Sequence, residues 1–312
     1  MRSLLSRLRR PLVSVVVCTK NGMPYVREAM ASLERQTYRR FEVVVQDAAS
    51  EDGTAEFLSA LPFDRLEVVS EPDGGIGDAY NRAVGRCSGT IVTTLDADNL
   101  LEPHALERAV AHHTEHPAAA AFYGAVQMLD ADAAPLRVFV PQAFDRSALM
   151  RCELVPPLST SFFSRPACGA ELRFDESLKT CADFDLWLRL SDRQIVRTEE
   201  VLGGTRLSTK SMTRDPSRYE QFCRDKIAAL ERYLQRRPEL ADERAESVGG
   251  IYCWAAESLL ALEGPSERCR TMITRAATAA PRYERVEQVL ARLAETSAGP
   301  VSVSTAGASP GS

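Results

Sequence analysis

No stretch of the 312-residue chain approaches the roughly 20 consecutive apolar residues that a helix needs to span a bilayer. The eight cysteines are scattered without a C-x-x-C pair, so they read as reduced thiols and not as a disulfide framework or a zinc ribbon. No Walker lysine motif is present. Gly75-x-Gly77 lacks the third glycine of the dinucleotide fingerprint, because Tyr80 stands there, which disfavours a Rossmann dehydrogenase. Positive charge is not in surplus: 38 Lys+Arg face 43 Asp+Glu, and a net charge of −5 offers no general attraction to nucleic acid. What remains, 45% hydrophobic and 26% charged residues, suits a globular enzyme with a sizeable core.

The charge is uneven. Arg2, Arg7, Arg9 and Arg10 occur in the first twelve residues without an acid, which leaves the rest of the chain four units more acidic than the total of −5. The apolar run that follows, Leu12 to Val17, is short and meets Lys20-Asn21-Gly22 almost at once, so it reads as a buried strand and not a signal peptide. We expect a basic N-terminal tail over residues 1–10, able to touch an anionic membrane surface, on a cytoplasmic protein.

From residue 13 to 95 apolar runs alternate with helical patterns. Strands are expected at Val13–Cys18, Phe41–Gln46, Leu66–Val69 and Thr90–Leu95, with helices at Pro24–Arg35, Thr54–Leu61 and Gly77–Cys87. This alternation predicts an α/β fold, a Rossmann-like mostly parallel sheet flanked by helices. Ligands bind such sheets outside the carboxyl ends of the strands. Polar clusters fall at those ends: Thr19–Asn21, Asp47, Glu71–Asp73 and Asp96–Asp98. A helix over 103–116, strands at Ala120–Leu129, Leu136–Val140 and Gln194–Val201, and a helix at Asp183–Leu190 complete the expected domain at 11–212. Helical patterns cover 213–296, and the Ser/Gly/Ala/Pro-rich 297–312 is an expected disordered tail.

Several motifs admit two readings. Asp96-Ala97-Asp98 ends a strand; two carboxylates there suit a hard divalent cation that accepts phosphates, or a solvated turn that caps the next helix. Asp52 reads as a helix cap, whereas Asp47 can accept a hydrogen bond from a base. Asp183, at the first turn of an amphipathic helix, shares a face with Leu186, Trp187 and Leu190, and Asp185 lies well round from it. This makes Asp183 the better general-base candidate, with simple helix capping as the alternative. His112-His113-Thr114-Glu115-His116 matches H-x-x-E-H, the pattern of inverted zinc peptidases. It ends a polar helix just before Pro117, where histidines also suit the helix C-terminus, and that is the expected reading.

In order and spacing, these motifs resemble the inverting family 2 glycosyltransferases with the A-type (GT-A) nucleotide-diphospho-sugar fold. The resemblance covers roughly residues 11–212. Ser14 to Asn21 resembles the opening strand and loop, Gln36-Thr37-Tyr38 with Phe41-Glu42 the Q-T-Y-x-x-F/Y-E step, and Asp47 to Thr54 the D-x-x-S-x-D-G-T turn. Ser70 to Asn81 is similar to a subset that builds bacterial surface polysaccharides. Asp96-Ala97-Asp98-Asn99 resembles the metal motif, and Ala182 to Arg189 the catalytic-base region. Ala182 stands where the family carries glutamate, and Ala48 where it carries a second aspartate.

The resemblance implies a metal-dependent inverting transfer from a nucleotide-diphosphate sugar, most simply a UDP-sugar, to a hydroxyl of a glycan or lipid-linked acceptor in polysaccharide biosynthesis. Thr19, Asn21, Asp47 and Asp73 would lie at the nucleotide, and Asn81 near the diphosphate or sugar. Asp96 and Asp98 would hold Mn²⁺ or Mg²⁺, with Asp183 as the base. Arg206 and Lys210 would steady the leaving diphosphate. Two rivals are a sugar nucleotidyltransferase, whose glycine-rich loop with Arg and Lys is missing here, and a degenerate, non-catalytic interaction module.

Overall fold

A computed structural model describes residues 10–207 and 212–297 of the chain. Lys210, the arginines up to Arg9 and the tail from residue 298 lie outside the described residues.

The chain runs β1 (Val13–Thr19), α1 (Val26–Glu34), β2 (Phe41–Asp47), α2 (Thr54–Ser59), β3 (Leu66–Ser70), α3 (Ile76–Arg86) and β4 (Ile91–Thr94). These four strands form the parallel block β3-β2-β1-β4. Next come β5 (Leu100–Leu101), α4 (Ala105–Glu115), β6 (Ala121–Leu129), β7 (Pro135–Phe139), α5 (Arg146–Met150), β8 (Ser161–Ser164), α6 (Arg165–Cys168), α7 (Ala182–Leu190) and β9 (Ile195–Arg206). The sheet continues from β4 through β8, β6 and β9 to β5, with β7 paired to β6. β8 runs antiparallel to both its neighbours and β6 parallel to β9, so the second half of the sheet is mixed. The sequence pattern missed β8, because four buried residues, Ser-Phe-Phe-Ser, are too few to show a period.

β1 explains the layering. Val13, Val15 and Val17 turn to one face, where Met30 and Leu33 of α1, Leu58 of α2 and Leu106 of α4 cover them. Val16 turns to the other face, toward Tyr80 of α3 and Trp187 of α7. A strand buried on both faces must read as a near-continuous apolar run, and β1 does. The register pairs Thr19 with Asp47 and Asp47 with Ser70, which brings three strand ends to one edge.

The helical region contains α8 (Tyr219–Arg236), α9 (Arg244–Glu263), α10 (Glu267–Ala279) and α11 (Glu284–Ser297). Its apolar residues, among them Phe222, Leu230, Ile251, Leu259 and Ile273, belong to the same continuous core as Trp187 and Phe163. The region therefore packs as a further layer on the α7 side of the sheet. All eight cysteines are free.

The Gln36–Glu42 segment has a structural job. The Gln36 amide donates to the carbonyls of Ser32 and Glu102 and accepts from the N–H of Leu106. Tyr38 donates to the Pro11 carbonyl at 2.5 Å. Glu42 is buried and gathers Ser14 Oγ, Ser88 N and Ser88 Oγ, each at 2.6 Å, and Gly89 N at 3.1 Å. Gly89 must be glycine, since a Cβ there would sit 2.5 Å from Ser14 Oγ and 2.8 Å from the Leu12 carbonyl. Burial alone would push the Glu42 carboxyl up, but the bonds from Ser14, Ser88 and Gly89 outweigh it and hold it below its ordinary value. Its contribution is complete above the unfolded-state value of about 4.3 and fades as pH falls through the lower folded value. Glu42→Gln should therefore destabilise the fold by about 2 kcal/mol at pH 7, because the amide presents hydrogens to donors. Urea denaturation at pH 7 and again at pH 3.5 should show the gap between variant and wild type narrowing in acid.

Candidate active site

Two loops at the shared strand edge are stitched together by side chains. Asn21, in the left-handed conformation at φ 52°, receives the N–H of Glu51 on its Oδ1, at 3.0 Å, and donates its own N–H to Ser50 Oγ at 2.7 Å. Thr54 Oγ1 accepts from Gly22 N, and Asp52 accepts from Met23 N on one oxygen and from Thr54 on the other. Gly53, not the expected Asp52, holds the N-cap position of α2; Asp52 accepts the Thr54 N–H from one residue further out and cross-links it to the first loop. Gly53 sits between them at φ +88°, where a side chain would strain the backbone.

These loops wall an open cleft of about 250 Å³ lined by Cys18 to Met23, Tyr25 and Asp96 to Asp98. Thr19 is nearly buried, and its hydroxyl has no hydrogen-bond partner. The oxygen itself is closed off from solvent and lies against Gly22, so a ligand reaches it only if the loop shifts.

Asp96 and Asp98 are each half-buried. Asn99 holds Asp96 through its amide at 3.0 Å and accepts the N–H of Arg206 on its other end. Burial, then the charge of Asp98, then that of Asp183, push the Asp96 carboxyl up to about 6, against the lowering effect of Asn99. Asp98 is also raised, chiefly by burial, with the Arg206 charge opposing. Two oxygen-donor carboxylates that repel one another at a cleft fit a hard divalent cation.

Arg206 lies beneath this loop and not in the cleft, being 2% exposed. Its guanidinium donates to the carbonyls of Asp98 (3.3 Å) and Ala131 (2.6 Å), pairs with Glu28 at 2.8 Å, and stacks over Tyr25 at 4.7 Å. With its donors used this way it braces the Asp98 loop from behind, and in this structure it does not reach out as a cation for a diphosphate.

Other expected residues are also committed to protein partners. Asp47 is completely buried; its carboxylate accepts from Ser50 N, Ser50 Oγ and Ser70 Oγ, so it exposes no atom to the cleft. Asp73 is half-buried and accepts the Gly75 N–H at 2.9 Å. Asn81 pins the chain at Phe174 by donating to its carbonyl and accepting its N–H, and also donates to Glu176. A bound ligand would have to share or displace those bonds.

Helix α7, which carries Asp183, departs from the amphipathic expectation. Phe184, Leu186, Trp187, Leu188 and Leu190 are all fully buried, so the helix has no solvent face. Asp185, expected to lie away from the core, is buried and pairs with Arg189 one turn on at 2.8 Å. Asp183 is half-buried at the first turn and, among the described residues, carries no hydrogen bond or ion pair. An unpartnered carboxylate beside the Asp96–Asp98 pair has its lone pairs free for an incoming group.

Sequence patterns gave no sign of what positions Asp183. Asp225, buried on α8, accepts both the N–H and the hydroxyl of Thr180 at 2.8 Å, which anchors the chain entering α7. Lys226 is also buried, with its ammonium 4.3 Å from the Phe184 ring centre and 4.7 Å from that of Trp254, and its charge acts on Asp183.

This arrangement is the α/β architecture of the glycosyltransferases. The S. aureus TarS structure (residues 1–349) superposes with a TM-score of 0.59 at 18% identity, covering 89% of this chain and 82% of that one. A mannosyltransferase from Pyrobaculum calidifontis, solved with GDP-Man and Mn²⁺, gives 0.57 at 20% identity over 91% and 87%. Residues 14–143 match the family model described as Glycosyl transferase family 2. An uncharacterized glycosyltransferase of Rickettsia felis is 27% identical over 222 residues, 68% of this chain and 37% of that protein. The chondroitin synthase of Pasteurella multocida is 26% identical over 189 residues, 59% of this chain and 19% of the synthase. The chain thus aligns with well under half the length of these two relatives.

Replacing Arg206 with Met should lower stability by about 2 kcal/mol, because the Ala131 and Asp98 carbonyls lose their buried donor. The same urea experiment reads this loss, and a change below about 0.5 kcal/mol would contradict the bracing role.

Proposed function

We propose that the chain is an inverting glycosyltransferase that moves a sugar from a nucleotide-diphosphate donor, a UDP-sugar in the simplest case, to a hydroxyl of a glycan or lipid-linked acceptor in polysaccharide assembly. One observation supports this reading: the Asp96–Asp98 pair lines the cleft at the Thr19 strand end, and the charge of Asp183 reaches Asp96. The solved relatives support it, since TarS was captured with UDP-GlcNAc and the mannosyltransferase with GDP-Man and Mn²⁺. Two of the curated relatives are a chondroitin and a hyaluronan synthase.

In this mechanism Asp96 and Asp98 would hold a divalent cation, which when bound would supply positive charge against the departing diphosphate. Thr19 and the Asn21–Gly22 loop line the nucleotide side. Asp47 and Asn81 contribute by fixing the loop at 48–50 and the segment at 174–176, with Asp73 beside them at the third strand end. Arg206 and Asn99 keep the two metal-binding carboxylates aimed at the cleft. Asp183 takes the proton from the acceptor hydroxyl, an effect typically worth 10²–10⁴-fold in rate. Attack from the face opposite the leaving group inverts the anomeric centre, so an α-linked donor gives a β product. Ala182 removes the carboxylate that the family places before the base, and Lys226 supplies a counter-charge to Asp183 from a different helix.

Asp183→Asn should lower turnover at least 100-fold while nucleotide affinity changes less than threefold; near-normal turnover would sink the base assignment. Asp98→Ala should abolish the part of donor affinity that depends on Mn²⁺, read by calorimetric titration of UDP-sugars with and without the ion.

A further inference from the structure

Three of the four histidines of the chain fall within five residues, His112, His113 and His116, at the end of α4. The cleft does not use them. α4 ends beside Ile91 and Ala121, the first residues of β4 and β6, whereas Asp96 follows the far end of β4. Five residues of extended chain place these two ends about 16 Å apart.

Here the ligand atoms of His112, Glu115 and His116 all lie within 4.8 Å of one another. The spacing i, i+3, i+4 puts the three side chains on one helical face. The His112 ring is fixed by stacking on Phe122, with centroids 3.9 Å apart and planes 19° from parallel, and it lies nearly parallel to His116. Its Nδ1 is buried without a hydrogen-bond partner, as is Ser164 Oγ; both residues line the same cavity of about 20 Å³, enough for a single water. Among the described residues, Glu115 has no hydrogen bond or ion pair, because the neighbouring Arg108 is taken by Glu200. The three ligands are thus close together, two of them ordered by stacking, and not committed elsewhere. They also stand at a helix C-terminus, where the carbonyl dipoles favour a cation.

We propose that His112, Glu115 and His116 form a surface site for a borderline divalent transition-metal ion of the Zn²⁺ or Ni²⁺ class, separate from the carboxylate pair in the cleft. Imidazole donors suit these ions, and the all-oxygen set at Asp96 and Asp98 suits Mg²⁺ or Mn²⁺, so the two sites divide metals by chemistry. The histidine site has no substrate cleft and takes no part in hydrolysis. Its ion ties the last turn of α4 together, and through the His112–Phe122 stack fastens that turn to β6.

The test is calorimetric titration of the full chain with ZnCl₂, with thermal unfolding followed in parallel. One ion should bind with a Kd on the order of 10 μM, and saturation should raise Tm by about 2–4 °C. Asp98→Ala should retain this binding, whereas His116→Ala should weaken it at least tenfold and Glu115→Gln several-fold. His112→Ala also removes the Phe122 stack, so the His116 and Glu115 variants are the decisive ones. Binding weaker than 1 mM overturns the proposal. So does Zn²⁺ affinity that survives His116→Ala and disappears in Asp98→Ala, since the ion would then belong to the cleft.

Discussion

Two carboxylates, Asp96 and Asp98, line one cleft, and keeping them partly buried, with the charge of Asp183 within reach of Asp96, is the constraint around which the surrounding structure is built. Burial, and then the charges of Asp98 and Asp183, lift Asp96 to about 6. The structure opposes this with fixed partners set behind the acids: the Asn99 amide, the Arg206 guanidinium under the Asp98 carbonyl, and the Lys226 ammonium behind the base helix. None of these occupies the cleft, so the negative side stays open for a cation and an anionic donor. An apolar substitute for any of them would leave the acids uncompensated in a partly desolvated place.

The same logic gives the helical region a place in the chemistry. It shares one core with the sheet, and from it come Asp225, which anchors the entry to α7, and Lys226, which faces its first turn. Asp183, the proposed base, is therefore held between two parts of the chain that lie far apart in sequence. Such a layout ties the packing of α8 to the position of the proposed base, where displacement by an ångström would carry a large kinetic penalty.

Much of the fold was legible because β-branched runs and helix periods are local. Val13–Val17, Phe41–Val45 and the helix containing Tyr80 and Ala83 announce themselves in a few residues, and the polar strand ends followed from them. Short elements were hidden: β5 has two residues and β8 four, and their existence depends on partners already in place. The motif at Gln36–Glu42 was visible, but its purpose was not, since its bonds reach to Pro11, Ser14, Ser88 and Glu102.

The order of residues alone dictates the strand–helix rhythm, the edge at which polar residues gather, and which acids end strands, because each depends on neighbours a few positions away. Which of those side chains stay free is a matter of packing in three dimensions. Asp47, Asn81 and Arg206 are consumed by partners 3 to 178 positions away, whereas Asp183 has none among the described residues. The full burial of Asp185 and the partial exposure of Asp183 likewise depend on what closes over α7 from β8, α5 and α8. A hydrogen-bonding group can be spent once on protein or kept for a ligand, and that allocation is settled by long-range packing.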